Sequence, residues 1–313
     1  MVINNIVTHP PYLKRGSVIG ITCPAGYVSQ ERVSFAVEVL KLWGFEVRLG
    51  KTVGSEHHYF SGTDGQRLKD LQQMLDDPEI SAILMGRGGY GLSRIIDDIN
   101  WTKFKLNPKW ICGFSDITVL HSHIHNNLQV PTLHSPMCGA FTPETANAGH
   151  IKRLYASLIG ESQHYHTPPH GYNRNGNGEG ILVGGNLAML AHLVGSASDI
   201  DTAGKILFIE DIGEHLYKID RMMLTLKRAG KLANLKGLIV GGMTELEDTP
   251  RPFGQGVEEI IRDKVEEYNY PVCFDFPAGH QEDNHTLTLG MVHKLTVTDQ
   301  AAHLDLLKDI ITV

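Results

Sequence analysis

The sequence predicts an α/β protein built on a parallel sheet, because its first half alternates strand-like and helix-like segments. Short apolar runs at 16–24, 46–49 and 80–85 are each followed by a segment with apolar residues at helical spacing. Such alternation places parallel strands in one sheet with helices on both of its faces. The length of 313 residues indicates about two domains.

The helices of the first half are indicated by their caps and apolar stripes. Ser29 is a typical N-cap, and the stripe that follows it includes Val33, Val37 and Leu40 and ends at Gly44. In chain order, the predicted segments of this half are strand 16–24, helix 30–43, strand 46–49, helix 64–75, strand 80–85, helix 92–99, strand 110–113 and helix 117–124.

A polar segment separates this pattern from a second one. Residues 161–180 are rich in Pro, Gly, Asn and His and are predicted to link an N-terminal domain, 1–160, to a C-terminal domain, 181–313. The predicted segments of the second domain are helix 186–194, strand 205–209, helix 219–229, strand 238–240, helix 257–268, strand 272–274 and strands 286–289 and 294–297.

The composition is that of an ordinary globular protein, with 42% hydrophobic and 20% charged residues. No apolar run reaches 18 residues, so no membrane span is expected. The net charge of −7 argues against nucleic acid or an anionic membrane as the main partner. Four scattered cysteines, and an N-terminus without a basic stretch before an apolar one, predict reduced thiols, no signal peptide and a cytoplasmic location.

Ser115 is the first candidate catalytic residue. It lies where the apolar run 110–113 ends, and a helix-like segment begins directly after it. A serine on such a tight strand-to-helix turn exposes its hydroxyl, and the free N–H groups at the start of the helix point toward it. The turn therefore predicts a nucleophile with part of an oxyanion hole. An ordinary N-cap serine is the alternative.

The segment 86–91, Gly-Arg-Gly-Gly-Tyr-Gly, has two interpretations. It matches the G-x-G-x-x-G pattern of dinucleotide-binding loops, which would indicate an NAD-binding oxidoreductase. However, it follows the third strand instead of the first, and no acidic residue ends a strand about 20 residues later. We favour a loop whose bare backbone N–H groups supply a second oxyanion donor beside Ser115.

His280 and Glu210 are candidates for the base and the acidic partner that a serine nucleophile needs. His280 follows a short apolar strand and Gly279, and Glu210 ends the apolar strand 205–209. Residues in loops after strands are where catalytic groups concentrate. His285 is a nearby competitor for the role of base.

A metal site is the alternative use of the same region. Carboxylates and imidazoles that converge on one point are common ligands of catalytic divalent ions. The residues that would form this site are Glu210, Asp211, Glu214 and His280.

The sequence resembles the LD-carboxypeptidases, the serine peptidase family that includes muramoyltetrapeptide carboxypeptidase and the microcin C immunity protein. The resemblance covers nearly the whole chain and is carried by the blocks 87–91, 113–116, 184–187, 209–212 with 220–222, and 279–280. It implies a Ser-His-Glu triad in which Ser115 is the nucleophile, Glu210 the charge-relay carboxylate and His280 the general base. The segment 277–284 is longer than in compact members, which keeps His285 open as the base.

The resemblance also implies an oxyanion hole, an architecture and a substrate. The backbone N–H of Asp116 and one from Gly88 or Gly89 would form the hole. A flavodoxin-like N-terminal domain would carry the serine, and a smaller, β-rich C-terminal domain would carry Glu and His. The implied enzyme is a homodimer that needs no cofactor or metal and removes the terminal D-alanine from murein tetrapeptides during cell-wall recycling.

Three other functions stay open at this point. An immunity hydrolase of the microcin C type would cleave a peptidyl- or aminoacyl-nucleotide, but no tryptophan that could stack on a nucleobase occurs after residue 160. An NAD-binding oxidoreductase would use the loop 86–91. A murein-peptide sensor without turnover would keep the fold, although all three triad residue types are present.

Overall fold

The structure is a computed structural model that describes residues 9–307 of the chain. Most of the N-terminal segment on which the prediction of no signal peptide rests lies outside these residues. The strands, in chain order, are β1 (Val18–Thr22), β2 (Glu46–Leu49), β3 (Ile80–Met85), β4 (Trp110–Gly113), β5 (Thr132–His134), β6 (His164–Thr167), β7 (Gly176–Asn186), β8 (Ile206–Ile212), β9 (Gly237–Thr244), β10 (Val272–Cys273), β11 (Leu287–Leu289), β12 (Val292–Val297) and β13 (Ala302–Leu306). The α-helices are α1 (Gln30–Leu42), α2 (Asp64–Asp76), α3 (Thr102–Leu106), α4 (Thr118–Leu128), α5 (Gly149–Leu158), α6 (Leu187–Leu193), α7 (Leu216–Arg228) and α8 (Val257–Val265).

The first sheet has the strand order β11-β5-β4-β3-β1-β2. Strands β1 to β5 are parallel, and β11 pairs antiparallel with β5 at one edge. Side chains alternate between two apolar clusters, since Ile19 and Ile21 pack with α1 and α5 whereas Ile83 and Met85 pack with α2, α3 and α4. The predicted parallel sheet with helices on both faces is therefore confirmed.

The second sheet has the strand order β10-β9-β8-β7-β12-β13-β6. Its strands β7 to β10 are parallel, and β12, β13 and β6 extend it in antiparallel fashion. The helices α6, α7 and α8 contribute to the apolar cluster that covers the parallel part. The predicted α/β class with a β-rich second half is thus confirmed.

The structure differs from the predicted linker at 161–180. This segment contains β6 and the first residues of β7. In β6 the side chains alternate between exposed and buried, with Tyr165 in the core and His164 and His166 outside. The polar composition hid this short alternation, because β6 pairs with β13, a strand more than 130 residues later in the sequence.

Two further segments depart from the expected pattern. The predicted helix 92–99 is a pair of 3₁₀ turns, Leu92–Arg94 and Ile96–Asp98, because Ile95 between them has a φ of −128°, outside the helical range. The helix α5 lies between the last predicted helix of the first half, 117–124, and the predicted linker, where the sequence predicted no helix or strand. Its amphipathic residues pack against the first sheet, with Ile151 and Leu154 buried.

The cysteines and the membrane prediction concern the whole fold. Cys23, Cys112, Cys138 and Cys273 are all free and buried. Burial raises the pKa of the Cys23 thiol to about 12 and also raises the pKa of the Cys112 thiol, so neither thiol forms a reactive thiolate near neutral pH.

No helix within residues 9–307 is long and apolar enough to cross a bilayer.

Candidate active site

Ser115 lies at the carboxyl end of β4, at the centre of the first sheet. β4 ends at Gly113, and Ser115 begins a 3₁₀ turn, Ser115–Ile117, that leads into α4 at Thr118. The φ of Ser115 is +64°, a left-handed conformation that non-glycine residues rarely adopt. Backbone strain of this kind is found at functional sites. Ser115 is partly exposed at the carboxyl ends of the strands.

The loop 86–91 passes directly over this serine. A Cβ placed on Gly88 would lie 3.0 Å from the Cβ of Ser115 and 3.2 Å from its Oγ, so a side chain at this position would press against the serine. The backbone N–H of Gly26 donates to the carbonyl of Gly88 over 2.9 Å and fixes the loop from the other side. The loop is therefore close enough to the serine turn to offer backbone N–H groups to the same point.

The same loop lacks the structure of a dinucleotide site. Such a site places the pyrophosphate at the N-terminus of an α-helix that starts at the glycine-rich turn. Here the loop leads into the short 3₁₀ turn Leu92–Arg94, and the next α-helix, α3, begins only at Thr102. The helix dipole that would bind a pyrophosphate is not formed at this loop.

Glu210 and His280 form a buried carboxylate–imidazole pair. The Nδ1 of His280 lies 2.6 Å from the Oε2 of Glu210, and the backbone N–H of His280 donates to the same oxygen over 3.1 Å. The side chain of Glu210 is fully buried, whereas that of His280 is 14% exposed. The carboxylate thus holds Nδ1–H and leaves Nε2 free to accept a proton.

The pair is expected to be more basic than an isolated histidine. Burial lowers the pKa of His280, but the hydrogen bond and charge of Glu210, with the charges of Asp211 and Glu245, raise it by more. The net pKa of His280 is therefore above its ordinary value. A base of this kind is suited to proton transfer near neutral pH.

The loop that carries His280 is held against β8 and β9. Gly279 has a φ of +101°, and a Cβ at this position would lie 2.5 Å from the Cβ of Glu210. The N–H of Gly242 donates to the carbonyl of Ala278 over 2.9 Å, and the hydroxyl of Thr244 donates to the carbonyl of His280 over 2.6 Å. These contacts bring the imidazole to a fixed place above the strand that carries its carboxylate.

Phe114 joins the two halves of the site. It directly precedes Ser115, and its ring centroid lies 4.7 Å from that of His280. The serine turn of the first sheet and the histidine loop of the second half of the chain therefore face each other. The structure brings Ser115, Gly88, Glu210 and His280 into one region, although Ser115 and His280 are 165 positions apart in the sequence.

His285 and the predicted metal ligand Asp211 each contact residues outside the Glu210–His280 pair. Burial and Arg153 lower the pKa of His285 to about 4, and its ring is close to Gly149 of α5 instead of Glu210. Asp211 accepts hydrogen bonds from Asn186 and from the N–H of Ala188, which holds the start of α6. Among residues 9–307, no group of three or more His, Cys, Asp or Glu side chains is arranged to hold a metal ion.

The sequence reasoning missed His134, which lies at the end of β5 beside the site. Its ring packs edge-on against Phe208 at 4.9 Å and against Phe114 at 5.8 Å. Burial and the neighbouring His121 and His280 hold its pKa well below the ordinary value, so this ring stays neutral. No residue pattern near His134 distinguishes it from a core histidine, because its neighbours come from other strands.

Two joined sheets, a strained serine turn and a buried carboxylate–imidazole pair are the features of a serine hydrolase with an α/β fold. The chain belongs to the LD-carboxypeptidase family. Residues 19–135 match the LD-carboxypeptidase N-terminal domain, and residues 179–295 match the LD-carboxypeptidase C-terminal domain. The family predicted from the sequence and its class, a serine carboxypeptidase, are thereby confirmed.

Named relatives agree with this family. A probable murein peptide carboxypeptidase of Bacillus subtilis (strain 168) is 33% identical over 296 residues, which cover 94% of this chain and 93% of the relative. A murein tetrapeptide carboxypeptidase of Pseudomonas aeruginosa is 28% identical over 286 residues, which cover 87% of this chain and 91% of the relative.

Solved structures show the same fold. A muramoyltetrapeptide carboxypeptidase from Oxalobacter formigenes superposes with a TM-score of 0.85 at 28% identity and covers 93% of this chain and 99% of its own. The microcin C7 self-immunity protein MccF, in complex with aspartyl sulfamoyl adenosine, superposes with a TM-score of 0.84 and covers 96% of this chain and 98% of its own. At 21% identity, that second likeness concerns the fold alone.

Proposed function

We propose that this chain removes the terminal D-alanine from murein tetrapeptides by a Ser-His-Glu mechanism. The observation that carries the proposal is the buried pair of Glu210 and His280, which faces the strained serine turn across Phe114. The names of the relatives from Bacillus subtilis and Pseudomonas aeruginosa support murein peptides as the substrate class.

The proposed reaction begins with attack of the Ser115 Oγ on the carbonyl carbon of the scissile amide. His280 takes the hydroxyl proton at Nε2 and then gives it to the nitrogen of the leaving D-alanine, which breaks the C–N bond. Water then attacks the acyl-enzyme, again with His280 as base, and releases the shortened peptide. Glu210 keeps the imidazole in the required tautomer and stabilises the imidazolium in both steps.

The negative oxygen of each tetrahedral intermediate needs donors on the other side of the carbonyl. The backbone N–H of Asp116 and one N–H of Gly88 or Gly89 are proposed to supply them. A Cβ placed on Gly88 would lie 3.0 Å from the Cβ of Ser115, and this close approach of the loop to the serine supports the arrangement. One donor of this kind contributes about 10²–10³ to the rate.

The test of the proposed function is release of D-alanine from L-Ala-γ-D-Glu-meso-diaminopimelate-D-Ala, followed by mass spectrometry with and without EDTA. We expect EDTA-resistant release that falls by about 10⁴–10⁶ in S115A, H280A and E210A, without additivity between them. Near-normal turnover in any variant would remove that residue from the triad. Loss of turnover in EDTA would favour the metal alternative.

We further propose a homodimer located in the cytoplasm. The four buried, free thiols support a reducing compartment. Light scattering on the purified protein tests the dimer, with an expected mass of about twice 34.6 kDa. A mass of one chain at micromolar concentration would contradict it.

A further inference from the structure

We propose that the side chain of Asp116 is a positioning residue that holds the glycine loop 86–91 at a fixed distance from the nucleophile turn. This role is separate from the backbone N–H of the same residue. It rests on the proposed function only in that both concern the oxyanion hole beside Ser115.

The carboxylate of Asp116 bridges the two segments. Asp116 belongs to the 3₁₀ turn that begins at Ser115, and it is only 1% exposed. Its Oδ2 accepts the backbone N–H of Leu92, at the end of the glycine loop, over 2.9 Å. One residue of the serine turn is therefore bonded directly to the loop that passes over the serine.

The opposite side of the loop end is held by Arg67. This guanidinium is fully buried and donates to the carbonyl of Gly91 over 3.0 Å and to that of Gly62 over 3.2 Å. It also bonds to the carbonyl of Pro24. The peptide group between Gly91 and Leu92 therefore makes two hydrogen bonds to buried side chains. Its carbonyl accepts from Arg67, and its N–H donates to Asp116.

The geometry of Gly91 lets the loop pass close to Arg67. Gly91 has a φ of +150°, and a Cβ there would lie 2.7 Å from Nη1 of Arg67. The loop is bonded to β1 and to the turn after it, since the N–H of Gly86 donates to the carbonyl of Thr22 over 2.9 Å and the carbonyl of Gly88 accepts from Gly26 over 2.9 Å. The bond from the N–H of Leu92 to Asp116 ties the loop to the serine turn itself, and so contributes to the distance between the Gly88 amide and the Asp116 amide.

The charge state of Asp116 agrees with this role. Burial raises the pKa of Asp116 to about 6, while the N–H of Leu92 and the charge of Arg67 lower it. The carboxyl group is therefore mainly ionised at neutral pH. A charged acceptor makes a stronger bond to a backbone N–H than a neutral one does.

Loss of this bridge is expected to affect the transition state and not the binding of substrate. The two N–H groups interact with the negative oxygen, which exists only after Ser115 has attacked. In D116A we expect kcat to fall about 10²-fold, since one donor moves out of reach, while KM changes by less than about threefold. In D116N we expect kcat to recover to within about tenfold of the wild type, because the amide oxygen still accepts the Leu92 N–H.

A peptide boronic acid gives a readout that does not depend on turnover. The probe carries boro-lysine at the position of the third stem residue; the Ser115 oxygen adds to boron and its proton passes to His280, which yields a tetrahedral anion. We expect its affinity, measured by calorimetry, to fall about 10²-fold in D116A and to recover in D116N. A wild-type protein that binds the boronate but releases no D-alanine would contradict the proposed substrate, not this inference.

The matched control is D77N. Asp77 is also a carboxylate that accepts a backbone N–H, that of Glu79 over 2.9 Å, and it lies just before β3, at the opposite end of that strand from the loop 86–91. Its boronate affinity is expected to equal that of the wild type, whatever happens to stability. If D116A does not fold, D116S replaces it, because serine is too short to reach Leu92.

Two results would overturn the inference. One is a folded D116A or D116S with kcat and boronate affinity within about threefold of the wild type. The other is a D116N that is as impaired as D116A, because the effect would then come from the charge and not from the bridge.

Discussion

At the scale of single residues, the site depends on tight contacts around Ser115. The absence of a side chain at Gly88 leaves room for the Ser115 hydroxyl, since a Cβ at Gly88 would lie 3.2 Å from Oγ. Ser115 itself keeps a φ of +64°, which lies outside the range of right-handed helices. The position of Ser115 therefore depends on the absence of a side chain at Gly88 and on the strained backbone of Ser115 itself.

Substitution of Gly88 by alanine is expected to lower kcat/KM by about 10²-fold, because the new methyl group pushes against the nucleophile. Gly88 has no left-handed φ, so the change adds a contact without adding backbone strain. Steady-state release of D-alanine is the measurement. The matched control is G65A in α2, where a Cβ meets nothing within 4 Å; full activity in both variants would refute the contact.

The pH profile reports on Glu210 and His280. The charge of Glu210 stabilises the imidazolium and so raises the pKa of His280. Because the base acts when it is unprotonated, kcat/KM should rise with pH through this pKa. In E210Q the negative charge that raises the pKa of His280 is lost. The acid limb of the profile, over which kcat/KM rises with pH, should therefore move to lower pH, and the maximal rate should fall by about 10⁴.

The control for this profile is D305N. Asp305 also pairs with a histidine, His164, but both are exposed and far from Ser115 in the second sheet. Its acid limb should coincide with that of the wild type. An acid limb in E210Q that stays in place, or moves to higher pH, would contradict the assignment of His280 as the base.

The three proposed catalytic residues were accessible to sequence reasoning. Ser115, Glu210 and His280 each follow or end an apolar run, which is where parallel sheets place their sites. Their mutual approach was not accessible, because it depends on how two sheets dock. His134 was missed for the same reason, since only its spatial neighbours Phe114 and Phe208 distinguish it.

At the scale of elements, an irregularity between β8 and β9 makes room for the histidine loop. The register shifts after Ile209, so that Gly241 and Gly242 of β9 stand opposite Glu210. A Cβ on Gly241 would collide with the carbonyl of Ala278. The two glycines therefore let the loop 275–285 approach the strand that carries Glu210, the proposed charge-relay carboxylate.

Substitution of Gly279 by alanine tests this approach. The variant carries a strained φ of about +101°, and its methyl group meets Glu210 within 2.8 Å. We expect a loss of about 1–2 kcal/mol in the free energy of unfolding from the backbone, and an additional fall in kcat of about 10² from displacement of the pair. Urea unfolding and D-alanine release are the measurements.

The matched control is G254A. Gly254 has a similar φ of +92°, but a Cβ there meets nothing within 4 Å. It should share the cost in unfolding free energy and keep its activity. If both variants lose activity equally, backbone strain alone would explain the effect and the contact with Glu210 would be irrelevant.

The elements themselves were predicted best where apolar residues form long regular runs. The bounds of β3 agree with the predicted strand 80–85, and α1 begins after its Ser29 cap as expected. Prediction failed where tertiary contacts override the local pattern. The apolar spacing at 92–99 is helical, but the backbone breaks at Ile95, and β6 is stabilised by a strand from the end of the chain.

At the scale of the whole molecule, the two sheets are joined beside the site. β11 comes from the second half of the chain but pairs with β5 of the first sheet. The backbone N–H of Asn186, at the end of β7, donates to the hydroxyl of Thr118 in α4 over 3.0 Å. Gly185 packs against the same threonine, so the helix that follows Ser115 is bonded to the second sheet.

Thr118→Val tests this junction. The substitution keeps the shape but leaves the buried N–H of Asn186 without its acceptor, which should cost about 1–3 kcal/mol in the free energy of unfolding. The control is T225V in α7, whose hydroxyl only donates to the carbonyl of Arg221 and which should cost less than about 0.5 kcal/mol. Equal unfolding free energies for the two variants would show that the junction adds nothing to stability.

The most direct test of the central claim is to label the protein with an alkyl fluorophosphonate and to locate the adduct by peptide mapping. The Ser115 oxygen should displace fluoride, so one adduct should form on the peptide that contains Ser115, with release of D-alanine lost in proportion to labelling. Labelling should be much slower in H280A. Full release of D-alanine from protein completely labelled at Ser115, or an adduct confined to another residue, would contradict the account.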